Sequence, residues 1–286
     1  HPAPATVRLI QDKYLQKAFL REHSVPVADF TEVTSAADAE TALKSFGGKM
    51  LLKTRHGAYD GRGNMVVQSP GDIAKAFELF EGKQLYAEAF VPFERELAVM
   101  VARSVDGDVQ AYPVVQTIHE RNICVEVLSP APVPAAVQEK AHELALTVAN
   151  LLKGAGMYGI EMFLTEAGEV LVNEIAPRVH NSGHHTTEGN RTSQFEQHIR
   201  AITGLPLGDT SLIAPATVMV NILGERNGDT EVKGLSDALA IPGVHVHLYG
   251  KSPTKVDRKM GHLTATGNSL AQARQNAHAA RKALSI

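Results

Sequence analysis

Two glutamates on either side of a turn are the first residues in this chain that could do chemistry together. Around Ala167-Gly168 the pattern reads strand, turn, strand, and a two-residue loop there sets Glu166 opposite Glu169. Counting back along both strands sets Glu161 opposite Glu174 on one face of the hairpin, with Cβ atoms about 5 Å apart. Like charges placed so closely are destabilising unless something cationic lies between them. With the amide oxygen of Asn173 alongside, they make a hard oxygen set suited to magnesium bridging nucleotide phosphates. The plainer alternative is an exposed strand pair with basic neighbours. A one-residue slip of register would separate the two carboxylates.

Three other groupings carry chemical potential. Gly57, Gly61 and Gly63 lie between two predicted strands, which is not the strand-to-helix setting of a Walker loop. A glycine-rich β-turn can still cover phosphates with its backbone N–H groups, and Arg62 would add a bidentate cation. For the glycines alone, an ordinary hairpin loop is the better explanation. Lys53 ends the apolar run Met50, Leu51, Leu52, where an ammonium needs an anionic partner, whereas Lys13 on the first helix reads first as a solvated lysine. Residues 178–185 hold three histidines, yet their spacing fits neither an HExxH helix nor a Cys/His finger. Positioning of an anionic substrate suits this loop better than zinc. Lys255, Arg258 and Lys259 form a basic cluster that reads as a solvated face or a phosphate seat.

The elements that must hold these groups follow from periodicity and punctuation. Apolar residues at helical spacing predict one helix over residues 6–22, and residues 25–33 read as extended. Ser35 caps a helix to about Phe46, and Ser69-Pro70 opens another. Strands are expected at 50–53, 65–68, 85–91, 97–103 and 109–115, with Asp106-Gly107 as a hairpin turn. Long helices are expected over 134–152 and from Ser269, a shorter one over 192–203, and a strand over 215–223. Strands and helices mix without regular βαβ alternation, which favours α+β over a doubly wound sheet.

Bulk properties narrow the partners. Twenty-eight basic and 31 acidic residues give a net charge of −3, without the basic excess of a nucleic-acid binder. The lone Cys124 cannot form an internal disulfide, which suits a reducing compartment, and the cytoplasm is the expected location. The longest apolar runs are too short to span a bilayer. The opening His1-Pro2-Ala3-Pro4 carries no signal-peptide pattern and reads like a cut between domains.

Longer strings carry a resemblance. Residues 53–55 and 59–63, then 88–91 with 95–97, resemble the nucleotide half of the ATP-grasp fold. Residues 172–184 (VNEIAPRVHNSGH) and 193–202 (SQFEQHIRAI), followed by Gly204-Leu205-Pro206-Leu207, are similar to signatures of the N5-carboxyaminoimidazole ribonucleotide synthase (PurK) family. Ile10-Gln11-Asp12-Lys13 resembles its eukaryotic and fungal branch. The resemblance implies an ATP-grasp fold of two α+β subdomains, residues 1–90 and 91–210, with a small β-rich C-terminal subdomain at 211–286. A Rossmann-like domain would precede residue 1.

What the resemblance implies for function is ATP-dependent carboxylation of 5-aminoimidazole ribonucleotide (AIR) by bicarbonate through carboxyphosphate, with magnesium, two ions by expectation. Lys13, Lys53, Glu96 and His119 would hold the nucleotide. Glu88, Ala89, Phe90 and Val91 would form the adenine hinge, and Ala58, Tyr59, Asp60, Gly61, Arg62, Gly63 and Asn64 would close over the phosphates. Glu161 and Glu174 would bind the metal, with Asn173 beside the nucleotide. Tyr59, Arg62, Arg178, His180 and Asn181 would meet AIR or bicarbonate, and Lys255, Arg258 and Lys259 the ribonucleotide phosphate. His185 stands where many relatives carry tryptophan, and Lys255-Val256-Asp257 replaces their Arg-Pro-Gly. A homodimer and a fused mutase domain of PurE type are further expectations. The competing readings are another ATP-grasp ligase such as a formate-using transformylase, a nucleotide-binding module without catalysis, and histidine metal storage.

Overall fold

In the computed structural model, which describes residues 1–57 and 63–286, side-chain caps decide where the first helices begin. The single helix expected over residues 6–22 is broken at Asp12, whose backbone is extended (φ −90°, ψ 105°), giving α1 (Pro4–Gln11) and α2 (Lys13–Glu22). The Asp12 carboxylate accepts from the N–H groups of Tyr14 and Leu15, the open donors at the start of α2. Arg55 donates to the same carboxylate from Nε and Nη2. Helical spacing cannot reveal this break, because Arg55 reaches Asp12 from a bend 43 residues away.

Burial raises the Asp12 carboxyl, but Arg55 and the helix N–H groups outweigh it and hold it below the usual carboxylate range. A depressed carboxyl contributes stability that is complete above its unfolded value of 3.8 and is lost as pH falls through the lower folded value. Asn also caps helices, so Asp12→Asn removes mainly the charge. That variant is expected to show a flatter loss of far-UV ellipticity than the parent in an acid titration below about pH 4. Superimposable acid limbs would show that Arg55 does not stabilise the charged form.

Four antiparallel strands form the first sheet: β1 (Phe30–Val33), β2 (Met50–Thr54), β3 (Asn64–Val67) and β4 (Leu85–Ala89), in the order β1-β4-β2-β3. The helices α3 (Ala36–Ser45), capped by Ser35, and α4 (Pro70–Leu79), capped by Ser69, cover one face. Met50, Leu52, Val67, Leu85 and Ala87 pack there against Ala39, Leu43, Ile73 and Ala76. Of the extended segment expected over 25–33, only β1 is a strand, and Val27 makes one isolated parallel bridge to Val172.

The second sheet begins with β5 (Phe93–Arg103), β6 (Val109–Ala111), β7 (Val115–Glu120) and β8 (Ile123–Ser129). The strand expected over 109–115 is split around Pro113. Arg121 and Asn122, both at positive φ (49° and 63°), turn β7 into β8 without any glycine to announce the hairpin. Then come α5 (Ala135–Leu152), β9 (Gly156–Thr165), β10 (Val170–Ala176), a single 3-10 turn (Asn181–Gly183), α6 (Thr186–Gly189), α7 (Gln194–Thr203) and β11 (Ala216–Leu223). The chain finishes with α8 (Leu235–Leu239), β12 (Val244–Leu248), β13 (Lys259–Gly267) and α9 (Leu270–Ala283). The strands order as β10-β9-β5-β7-β8-β11-β13-β12, so the sheet continues from β8 into the last segment through β11. Among the described residues no helix is long and apolar enough to cross a membrane.

Period-two alternation assigns the faces. Leu97, Val99 and Val101 of β5, with Ile160 and Met162 of β9, pack toward α5, while Glu96, Ala98 and Met100 point to the opposite face. Ala216, Val218 and Val220 pack with Leu263 and Ala265 against Ala273, Ala277 and Ala280 of α9. One face of the long sheet is thus covered by α5 and α9, while the opposite face holds a smaller core around Met100, Tyr112, Val127 and Met157 and, beyond it, Glu96.

Candidate active site

The carboxylate pair forms, by a different route from the expected one. The turn between β9 and β10 is a three-residue loop, not Ala167-Gly168 alone: Thr165 N–H donates to Glu169 O, and Gly168 takes φ +78°. Pairing then runs Leu164 with Val170 and Met162 with Val172, a register that would set Glu161 opposite Asn173. A bulge at Asn173 shifts it by one residue, so Glu161 faces Glu174. The same bulge keeps Val172 and Ile175 both in the α5 core and turns Glu174 to the open face.

Glu96, Glu161 and Glu174 therefore share one face of neighbouring strands, since Ala98 lies opposite Glu161 and Glu96 opposite Phe163. Burial first, then the Glu174 charge, pushes the Glu161 carboxyl up to about 7. A site that raises a carboxyl in this way favours a cation between its two members. Lys13 Nζ already lies 2.5 Å from Glu174 Oε1. Two carboxylates and the Asn173 amide are hard oxygen donors, so these residues fit magnesium shared with a phosphate chain. Among the described residues no group of three or more His, Cys, Asp or Glu is placed to hold a metal ion by itself.

The helix α2 joins this face to the first sheet. Gln16, 1% exposed, accepts from Ile175 N–H and donates to Ile10 O, which clamps α2 beside Glu174. The next residue, Lys17, is buried and sits 3.0 Å from Glu88 Oε2, while Lys53 Nζ donates to Glu88 Oε1 at 2.9 Å. The Lys17 contact is coulombic, because its ammonium is not aligned for a hydrogen bond. Burial lowers the Lys17 ammonium against the pull of Glu88; burial raises Glu88, but the two lysines prevail and hold it low. Two cations on one buried anion leave positive charge for a phosphate, and Lys53 is the more exposed of them.

The Glu88 side chain is spent on the lysines, so the hinge over residues 88–91 can offer only backbone and the side chains of Ala89, Phe90 and Val91. Lys49 Nζ lies over the Phe90 ring at 3.5 Å. Asn64 pairs with Lys53 across β2 and β3, and Gly63 O accepts from Thr54 N–H. Ala58, Tyr59, Asp60, Gly61 and Arg62 lie outside the described residues. His119 places Nδ1 beside Glu96 Oε2, and although burial lowers it, that carboxylate more than compensates and raises it.

His180 Nε2 lies 3.5 Å from Glu161 Oε1. Ser182 N–H donates to His180 Nδ1, and burial, then the Arg178 and Lys259 charges, push this imidazole down to about 3. Gly159 makes room for it, since a Cβ there would sit 2.7 Å from His180 Cβ. Asn181 exchanges amide hydrogen bonds with Asn221 of β11. Arg178 is exposed and donates to Val179 O. Of the basic cluster, Lys259 opens β13, and its charge is felt at His119, His180 and His184. Arg258 donates to Pro253 O, and Lys255 is exposed.

Asp12, Gln16, Lys17 and Gln194 were not anticipated as site residues. For Lys17 a signal existed: it falls seven residues after Ile10 and three after Tyr14, inside an apolar helical stripe.

The ATP-grasp domain family matches residues 18–195, and the phosphoribosylaminoimidazole carboxylase C-terminal domain matches residues 217–276. A phosphoribosylaminoimidazole carboxylase of Schizosaccharomyces pombe is 47% identical over 94% of this chain and 50% of its own length. The chain spans about half the length of this relative and of the similar enzymes from Ogataea methanolica and Candida albicans. The crystal structure of N5-carboxyaminoimidazole ribonucleotide synthetase from Thermotoga maritima is similar at TM-score 0.88 and 43% identity, covering 100% of this chain and 74% of that one. An N5-carboxyaminoimidazole synthase from Aspergillus clavatus, solved with ADP and 5-aminoimidazole ribonucleotide, is similar at TM-score 0.91 and 37% identity, covering 99% and 74%. With the sheet order, the lysine–glutamate cluster and the facing carboxylates above, these matches show that the chain belongs to the N5-carboxyaminoimidazole ribonucleotide synthase family of ATP-grasp proteins.

Proposed function

We propose that the protein carrying this chain uses ATP and bicarbonate to carboxylate the exocyclic amine of AIR, giving N5-carboxyaminoimidazole ribonucleotide, ADP and phosphate. The observation that carries this reading is the meeting, on one sheet face, of the Glu161–Glu174 pair with the His180–Asn181 loop. Nucleotide phosphates and a small anionic acceptor would face each other there. Lys53 and Lys13 are both held on carboxylates, Glu88 and Glu174, and each can turn to a phosphate oxygen when the nucleotide enters. Lys17 stays on Glu88 and keeps that carboxylate neutralised when Lys53 leaves. Magnesium, when bound, would offset charge developing on the transferred phosphoryl group.

Bicarbonate oxygen attacks the γ-phosphorus and ADP leaves. The AIR amine then takes the carboxyl carbon of carboxyphosphate, inorganic phosphate departs, and the amine loses one proton. The chain's part is to hold the reactants in line and to supply fixed cationic and N–H groups where negative charge grows. Arg258 and Lys259 beside β13 suit the ribonucleotide phosphate, and the hinge at 88–91 suits adenine.

ADP release by the full-length protein, measured with AIR and bicarbonate added singly and together, tests the reading. Release should rise only when both are present with Mg-ATP. Release stimulated by formate in place of bicarbonate, or indifferent to AIR, would reject it.

A further inference from the structure

Gln194 begins α7 with no exposed surface, yet its amide is fully used. Oε1 accepts from His180 N–H at 2.9 Å, and Nε2 donates to His180 O at 2.8 Å. The backbone donor and acceptor of His180 thus dictate which end of the amide is oxygen and which is nitrogen, since the flipped amide would face donor with donor and acceptor with acceptor. The second hydrogen of Nε2 then points at His184 Nδ1, 3.0 Å away. An amide nitrogen has no lone pair to offer, so Nδ1 must accept, and the single ring proton of a neutral His184 lies on Nε2.

The contact is built in. A Cβ at Gly183 would sit 2.4 Å from Gln194 Oε1, so only glycine leaves space for the amide. Thr186 Oγ1 accepts from Gln194 N–H and donates to Gly183 O, tying the start of α7 to the same loop. The His184 ring is held between Phe195 (5.6 Å) and His262 (4.8 Å), with Tyr249 edge-on at 6.3 Å, and His262 stacks in turn on His247. Burial, then the charges of Lys259, His247 and Arg178, push this imidazole down to about 4. Among the described residues nothing accepts from His184 Nε2. The loop that carries it also carries His180, which reaches Glu161.

We propose that Gln194 is a positioning residue that fixes the His184 proton on Nε2, and that this N–H donates to an anionic oxygen of the carboxyl unit being transferred. The substrate half of this inference rests on the carboxylation reading; the tautomer half does not. A neutral donor suits this place. Lys259 and Arg178 draw the anion in, and an imidazole that cannot take up a proton at working pH never competes with the cations for it. The role is electrophilic, strengthening as negative charge grows on the oxygen.

Proton–nitrogen correlation spectra of the imidazole rings test the tautomer without turnover, with the His184 signals assigned by their loss in His184→Ala. In the unaltered protein His184 should be neutral with its proton on Nε2 at pH 7. In Gln194→Glu, whose carboxylate only accepts, the proton should move to Nδ1 or the ring should become charged. For turnover of the full-length protein, His184→Ala should lower kcat about a hundredfold, the scale of one lost oxyanion donor, with KM for ATP within about twofold. His184→Gln, which keeps an N–H near the Nε2 position, should recover part of that loss. A proton on Nδ1 in the unaltered protein, or an unchanged kcat in His184→Ala, would overturn the inference. If the unaltered protein shows the Nε2 proton but no AIR-dependent ADP release, the carboxylation reading fails and the positioning role of Gln194 stands.

Discussion

Replacing Glu174 by glutamine should lower AIR- and bicarbonate-dependent ADP release by at least about a hundredfold while leaving the fold in place. Glutamine keeps the volume and the strand register. The Asn173 bulge is held by backbone pairing and by Val172 and Ile175 in the core, none of which the change touches. What disappears is the negative charge opposite Glu161, and with it half of the oxygen set that fits a magnesium ion. The half-exposed Lys13–Glu174 pair is also lost, a loss worth little in stability because water screens it. Removing a like charge beside Glu161 acts in the opposite sense, so the thermal midpoint should hold or rise slightly. Unfolding of the variant would show instead that Glu174 is a structural residue. Full turnover would remove the carboxylate pair from the mechanism.

Glu88→Gln should be costly to stability. Lys17 is as buried as Glu88, and no other anion lies within ion-pair distance of it among the described residues. Leaving a buried ammonium uncompensated costs about 3–5 kcal/mol, more than the ion pair itself contributes. With no tryptophan in the chain, far-UV circular dichroism during urea unfolding is the convenient probe. The midpoint should fall clearly, and the double variant Lys17→Met with Glu88→Gln should recover much of it, because the stranded charge is gone. Lys53 is partly exposed and should survive the loss of Glu88. A midpoint unchanged in the single variant would mean that Lys17 is neutral in the folded protein, and the excess positive charge assigned to this cluster would vanish with it.

These two outcomes separate the two ends of α2. Lys13 meets a carboxylate at an open face, where charge serves a ligand, and Lys17 meets one in a sealed interior, where charge serves the fold. They are one turn apart on the same face of α2, and the advance along the helix axis brings one to Glu174 of β10 and the other to Glu88 of β4.

Much was legible in the sequence because it is local. Ser35, Ser69 and Ser269 cap the helices they announce, and the β5 alternation that sends Leu97 and Val99 to the core also sends Glu96 to the other face. The strings around Asn173-Glu174 and His180-Asn181 pointed to a candidate site, where the structure sets Lys13 against Glu174, His180 against Glu161 and His119 against Glu96. The break of the first helix at Asp12 was hidden, since the arginine that holds Asp12 lies just after β2, far along the chain.

The pairing of Glu161 with Glu174 was inferred from a two-residue loop that the protein does not have. A longer loop moves the register one way and the Asn173 bulge moves it back, so two unread features cancel. By itself the sequence determined the helix caps, the faces of the strands and the residue types of the site, because each depends on neighbours within a turn or two along the chain. Only the tertiary structure decided the bulge, the Lys17–Glu88–Lys53 cluster and the Gln194 hold on His184. Each depends on which distant strand or helix lies alongside, and on a buried donor, acceptor or charge that has no other partner within reach.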